Sequence, residues 1–250
     1  MAFRSRHLQS FVQEIQYKNR NPRSVRALEL LEDLATNPVL ELKSGAEVFR
    51  ARLVNDLKLI HKEAGFFGFG AKESFVPPPE ATHDMRANYR YIPYLYCASD
   101  PYIALMEVRP RLGSRVSVAT IGVLQDIRLL DFTVQNKPRK MTDAKSNLFA
   151  DLSDMFSKPI RNDDEMIDYI PTQFIAEYTK NLGYDGIAFS SSMTPEVSDV
   201  KKGGYNFVIF NFERCQAIKS NLFEAERIRV EARRIDDDTD AKAIRCVPLK

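Results

Sequence analysis

The sequence predicts an α+β fold, a sheet body with flanking helices. Three observations carry that expectation. Short helical stripes alternate with many short runs rich in β-branched and aromatic residues, rather than with the long, even strand–helix alternation of a doubly wound sheet. A composition of 44% hydrophobic and 28% charged residues suits a folded chain with a substantial core. No internal repeat or low-complexity stretch breaks the pattern. At 250 residues the chain allows one core of about 200 residues with an appendage, or two small domains.

In chain order, Leu8, Phe11, Val12 and Ile15 recur at helical spacing between Phe3 and Tyr17. After a break at Asn21–Pro22, Ser24 suits a cap for a second helix carrying Val25, Leu28, Leu31 and Leu34. Residues 1–45 therefore read as a helical N-terminal extension before a main domain over 46–250. Such stripes cannot be stable alone, so both helices are expected to pack on the body or on a second copy of the chain. Glu47–Leu53 alternates as a strand, and Gly65–Pro79 reads as a long ordered loop whose four phenylalanines need burial. Ile92–Ala98 is a strand, and Ser99 or Asp100 caps a short helix from Pro101 to Val108. Strands follow at Val116–Leu124 and Ile127–Phe132, then a helix marked by Leu148, Phe149, Leu152 and Phe156. Pro171–Leu182 is a helix stopped by Gly183. Gly186–Phe189 and Tyr205–Phe210 are strands, and the tail shows strand character at Arg227–Val230 before an acidic patch at Asp236–Asp240.

Whole function classes drop out. The net charge of +2 gives no sign of a nucleic-acid or membrane-surface binder. No apolar run is long enough for a spanning helix, the first residues do not read as a signal peptide, and Cys97, Cys215 and Cys246 lack disulfide spacing. A cytoplasmic chain with reduced thiols is the expectation. His7, His61 and His83 form no zinc-binding motif, so no metal is expected. The glycines at 65, 68 and 70 miss the dinucleotide fingerprint, there is no P-loop, and no G-x-S-x-G elbow supports a serine hydrolase.

Four polar groups remain. Arg50 and Arg52 share one strand face and either present paired guanidinium groups to an anion or form the solvated face of an edge strand. Arg86 and Asn88 precede the tyrosine-rich stretch holding Tyr91, Tyr94 and Tyr96; the group either binds a phosphate and a planar ring or belongs to core and rim. Glu107 sits in an apolar helix next to Ile103 and Ala104, so its carboxylate is expected to be partly withdrawn from water against an arginine or tyrosine, as a catalytic group or a structural pair. Ser190, Ser191 and Ser192 end one strand and Asn206 starts the next, a binding place or simply a turn.

Together these clusters resemble the RES family, named for its arginine, glutamate and serine. The resemblance runs through Phe49-Arg50, Arg86-Ala87-Asn88, Tyr94 to Ala98, Ile103 to Glu107, Gly183-Tyr184-Asp185-Gly186 with the serines, and Gly203 to Phe210. It implies a body like that of ADP-ribosyltransferases, a split mixed β-sheet with NAD in the cleft. It further implies cleavage of the nicotinamide–ribose bond with phosphate or water as acceptor, NAD being a substrate and phosphate a co-substrate rather than cofactors. Glu107, Arg50 and Tyr96 take the catalytic roles in this reading. Arg50, Arg86, Asn88, Tyr96, Ser191 and Asn206 bind NAD, with Ser191 favoured among the three serines. The partners it implies are NAD and an antitoxin protein; the N-terminal helices add a second copy of the chain as an expected partner, and the charge and hydropathy point to neither membrane nor nucleic acid. The alternatives are a non-catalytic ADP-ribose or nucleotide binding module, and ADP-ribosyl transfer to a macromolecule.

Overall fold

A computed structural model describes residues 2–22, 25–36, 39–62, 65–133, 141–158, 166–193 and 204–227, and the backbone of 231–232 and 244–245. In chain order the elements are α1 (Arg6–Tyr17), α2 (Arg26–Ala35), β1 (Val39–Leu42), β2 (Glu47–Leu53), β3 (Phe66–Phe67), α3 (Ala71–Ser74), β4 (Leu95–Ala98), α4 (Pro101–Glu107), β5 (Arg115–Val123) and β6 (Ile127–Asp131). After them come α5 (Asp143–Ser157), α6 (Met166–Asn181), β7 (Gly186–Ser190), β8 (Tyr205–Ile209), β9 (Cys215–Glu224), β10 (Glu231–Ala232) and β11 (Ile244–Arg245). Ser24, residues 228–230, the 236–240 acidic run and Cys246 lie outside the described residues.

Nine strands form one mixed sheet in the order β1-β6-β7-β8-β4-β2-β5-β9-β3. Among the described residues only β6–β7 and β3–β9 pair in parallel, the former because α5 and α6 carry the chain back across the sheet. β2 pairs with β5 along its whole length, from Glu47 to Leu53, yet meets β4 at the single rung Phe49↔Ala98. The sheet is therefore split between β2 and β4. The edge-strand alternative for Arg50 and Arg52 does not hold, since β2 lies between two neighbours.

Alternation along the strands sends residues to two faces. Ile187, Phe189, Val208 and Phe210 face α1, α2, α5 and α6, while Ala188, Phe207 and Ile209 join Leu95, Cys97 and Ala119 on the other side. A third cluster seats Ile103 and Ala104 of α4 on Ala51, Val116 and Val118. The apolar stripes of α1 and α2, including Leu8, Phe11, Leu28 and Leu31, lie in the same core as Phe149, Phe156 and Ile175. Residues 1–45 are not helical throughout, because Val39–Leu42 pairs with β6 as an edge strand.

Two further differences have local causes. The helix expected from Pro171 starts at Met166, with Pro171 inside it. Proline lacks the N–H that would reach the Ile167 carbonyl, and the Gln16 amide of α1 donates to that carbonyl instead at 3.0 Å. In the 65–79 loop Phe69 is buried, whereas Phe67 is 56% exposed. Among the described residues no helix is long and apolar enough to cross a membrane.

Candidate active site

A cavity of about 310 Å³ opens at the split, between α4, the end of α5, and the ends of β4, β7 and β8. Its apolar walls include Phe49, Phe156, Phe189 and Phe207, and its polar lining includes Arg50, Arg86, Glu107, Arg109, Lys158 and Asn206. Among the described residues, four cations and one carboxylate thus line a partly apolar recess.

Glu107 is the last residue of α4. Asp100 caps the start of that helix, accepting from the Tyr102 amide at 2.8 Å, and Pro101 fits the first turn, where its missing N–H costs nothing. Ile103 and Ala104 bury the inner side of the helix. The end that carries Glu107 opens onto the cavity, so the side chain is exposed rather than withdrawn. Its partners are not an arginine or a tyrosine. Ser191 Oγ donates to Glu107 Oε1 at 2.7 Å, and Asn206 Nδ2 donates to the same oxygen at 2.6 Å. No described residue donates to Oε2 in turn. Charge-assisted bonds of this kind are roughly twice as strong as neutral ones, so the carboxylate is held in one place while one oxygen stays available.

The backbone sets this clamp. The Ser191 amide donates to the Gly204 carbonyl at 2.8 Å, and the Met193 amide donates to Ser191 Oγ at 3.0 Å, which orients the hydroxyl. Gly204 packs so closely on α4 that a Cβ there would lie 1.6 Å from Ile103 Cδ1. Any side chain there would have to displace Ile103, so glycine lets the start of β8 lie close against α4. Ser191 is buried, while Ser192 lines the cavity.

Arg50 occupies the split itself, donating from Nη1 to the Tyr96 carbonyl of β4 at 3.2 Å. Its Nε is buried with no partner among the described residues, and burial holds the guanidinium pKa below its ordinary value. A buried donor without an acceptor is costly, and the Arg50 side chain also lines the cavity. Arg52 does not join it. That side chain packs 5.3 Å from the Phe69 ring and donates to the Glu73 carbonyl, outside the cavity lining.

Arg86 lines the cavity, donates to the Met155 carbonyl of α5, and lies 6.0 Å from the Tyr169 ring. Tyr96 offers its ring alone, because its hydroxyl accepts from the Ala87 amide at 3.2 Å and donates to Asn88 Oδ1 at 2.8 Å. Burial raises the phenol pKa, so the ring is neutral. Asn88 is not brought to the cavity. It is 1% exposed, and its Nδ2 donates to the His83 and Tyr89 carbonyls at 3.0 and 2.9 Å. It braces the loop that carries Arg86.

Three contributors were missed by sequence reasoning. Gln173 of α6 donates to the Met85 and Asn88 carbonyls at 3.0 and 2.9 Å, holding that loop from beneath; an apolar helix face interrupted by a glutamine was the available signal. Arg109 follows α4 with φ 47°, a left-handed conformation uncommon outside glycine and stabilised here by the helix end. Lys158 ends α5 beside the cavity, and neither residue stands out in a motif. Among the described residues no three His, Cys, Asp or Glu side chains gather as a metal site would require. Cys97 lines the cavity as a buried free thiol whose pKa burial raises, which disfavours the nucleophilic thiolate.

The family model described as the RES domain matches residues 57–230. The chain belongs to the RES domain family. Arg86, Tyr96, Glu107, Ser191 and Asn206 of this RES domain fall inside the matched span, and Arg50 lies just before it. One similar solved structure is the M. tuberculosis MbcT–MbcA toxin–antitoxin complex, at 13% identity, with 79% of this chain and 92% of that chain covered and a TM-score of 0.44. No curated protein matches the chain.

Proposed function

We propose that this RES domain cleaves the nicotinamide–ribose bond of NAD. The observation that carries the reading is Glu107 clamped through one oxygen by Ser191 and Asn206, at a cavity whose other charged lining groups among the described residues are Arg50, Arg86, Arg109 and Lys158. The four cations suit a pyrophosphate, and the Glu107 carboxylate suits a centre that becomes positive. When the C–N bond breaks, its electron pair leaves with nicotinamide, which departs neutral, and positive charge spreads over the ribose ring. Glu107 stabilises that charge, directly or by holding a ribose hydroxyl. The Tyr96 ring borders the same space and orients the ribose without exchanging a proton.

The acceptor then adds to the ribose carbon. Water yields ADP-ribose and releases a proton; inorganic phosphate yields ADP-ribose 1''-phosphate. Arg50 supports either outcome, since a guanidinium lining the cavity suits the substrate pyrophosphate or an incoming phosphate. Such an activity, depleting NAD in the cytoplasm, fits a toxin restrained by an antitoxin protein, the role that the RES resemblance implies. The test is incubation of the full chain with NAD, with and without phosphate, and identification of the ribose product by mass spectrometry. Release of nicotinamide with either product is expected. Intact NAD under both conditions would reject the reading.

A further inference from the structure

A second cavity of about 250 Å³ lies beside the first, between α1, the end of α5 and the first turns of α6. Arg86 and Lys158 line both. Beyond that shared pair the chemistry changes. The first cavity collects cations around Glu107, whereas the second presents the amides of Gln13 and Gln16, the Tyr169 ring, the Asp168 carboxylate and apolar Val12. Gln13 and Gln16 belong to α1, outside the span matched by the family model.

We propose that this second cavity binds the adenosine half of the dinucleotide. The inference rests on the NAD reading above. Two cavities that meet at two cations form a natural seat for a molecule with a pyrophosphate in the middle and a nucleoside at each end. At about 310 Å³ the first cavity lies at the low end of the roughly 300–1,000 Å³ range of ligand pockets, small for a whole dinucleotide. With the pyrophosphate at Arg86 and Lys158, the nicotinamide ribose lies toward Glu107 and the adenine toward α1. A neutral purine carries ring-nitrogen acceptors and an exocyclic amine donor. The Gln13 side chain supplies a donor and an acceptor, Gln16, whose amide nitrogen already donates to the Ile167 carbonyl, supplies its acceptor oxygen, Tyr169 supplies a ring for stacking, and Asp168 can accept from ribose hydroxyls. α1 would then be a wall of the substrate site as well as part of the core.

The test is equilibrium binding of adenosine monophosphate to the full chain by calorimetry, because this probe contains the adenosine half and a phosphate but no scissile bond. Wild-type protein and Glu107→Gln are expected to bind it alike. Gln13→Trp, which changes an exposed helix position and fills the cavity, is expected to weaken binding at least tenfold. Should that indole turn into solvent, Tyr169→Ala gives the same loss while Tyr169→Phe retains binding. The proposal is overturned if wild-type protein does not bind the nucleotide, if Glu107→Gln loses binding, or if both Gln13→Trp and Tyr169→Ala bind as wild type does. NAD turnover separates the two readings. A protein that cleaves NAD but fails this binding test rejects the second cavity alone, whereas one that passes it and leaves NAD intact rejects the proposed reaction alone.

Discussion

Replacing Ser191 by alanine removes one of the two bonds that fix Glu107. The hydroxyl is buried, donates 2.7 Å to Oε1 and is itself oriented by the Met193 amide, so alanine deletes a well-aligned bond to a charged acceptor. A bond of that class contributes about 1.5–3 kcal/mol. Asn206 still reaches the same oxygen at 2.6 Å, so the carboxylate stays near its place but gains freedom to turn. If Glu107 stabilises charge that exists only in the transition state, the loss appears in kcat with KM little changed. At about 1.4 kcal/mol per tenfold, the expected fall in kcat is about 10- to 150-fold. The assay is initial-rate nicotinamide release over a range of NAD concentrations, with circular dichroism verifying the fold. A folded Ser191→Ala protein with wild-type kcat would refute the argument that the clamp serves catalysis.

Arg86→Ala is expected to weaken NAD binding by about 10- to 150-fold, the cost of a charge-assisted contact; an unchanged calorimetric affinity would contradict its place in the cavity. Phe11→Ala empties a fully buried site whose ring lies 5.5 Å from Phe174, which should cost about 3–5 kcal/mol and lower the unfolding midpoint by about 6–20 °C. A change below about 2 °C in a thermal melt would show that α1 contributes little to the core. Burial pushes the Cys215 thiol up to about 11 from 9.0, so at pH 8 its thiolate is about a hundredfold scarcer than that of an ordinary cysteine. Cys97 is raised by the same cause, and iodoacetamide at pH 8 should label both slowly until guanidinium unfolds the chain; rapid labelling of native protein, read by mass spectrometry, would contradict their burial.

Local pattern reached a long way into this molecule. The stripe Leu8-Phe11-Val12-Ile15 is buried as its spacing requires, and the short helix ending in Glu107 follows from Asp100, Pro101 and two inward apolar residues. What was not legible depends on pairings distant in sequence. Nothing in Val39–Leu42 itself says that it will pair with Ile127–Leu130, and nothing near Pro171 says that a glutamine of α1 will take over the carbonyl it leaves unpaired. The site shows the same division. Residue types at Arg50, Arg86, Glu107 and Asn206 signalled polar chemistry, but their partners did not follow. Asn88 looked like a ligand donor because a side-chain amide serves either purpose, and only the nearby His83 and Tyr89 carbonyls decide between them.

The position of β2 bears on how the chain is divided for laboratory work. A fragment cut to residues 57–230 would keep most of the cavity and discard Glu47–Leu53, the strand that stands between β4 and β5. It would lose more than Arg50. One side of β5 would become an open edge from Val116 to Gly122, offering unpaired amides and carbonyls to any other copy of the fragment. β4 would lose its neighbour on that side, and Ile103 and Ala104 of α4 would lose Ala51 beneath them. Such a fragment would be expected to aggregate as well as to lack Arg50, so its inactivity would carry no information about the groups it retains.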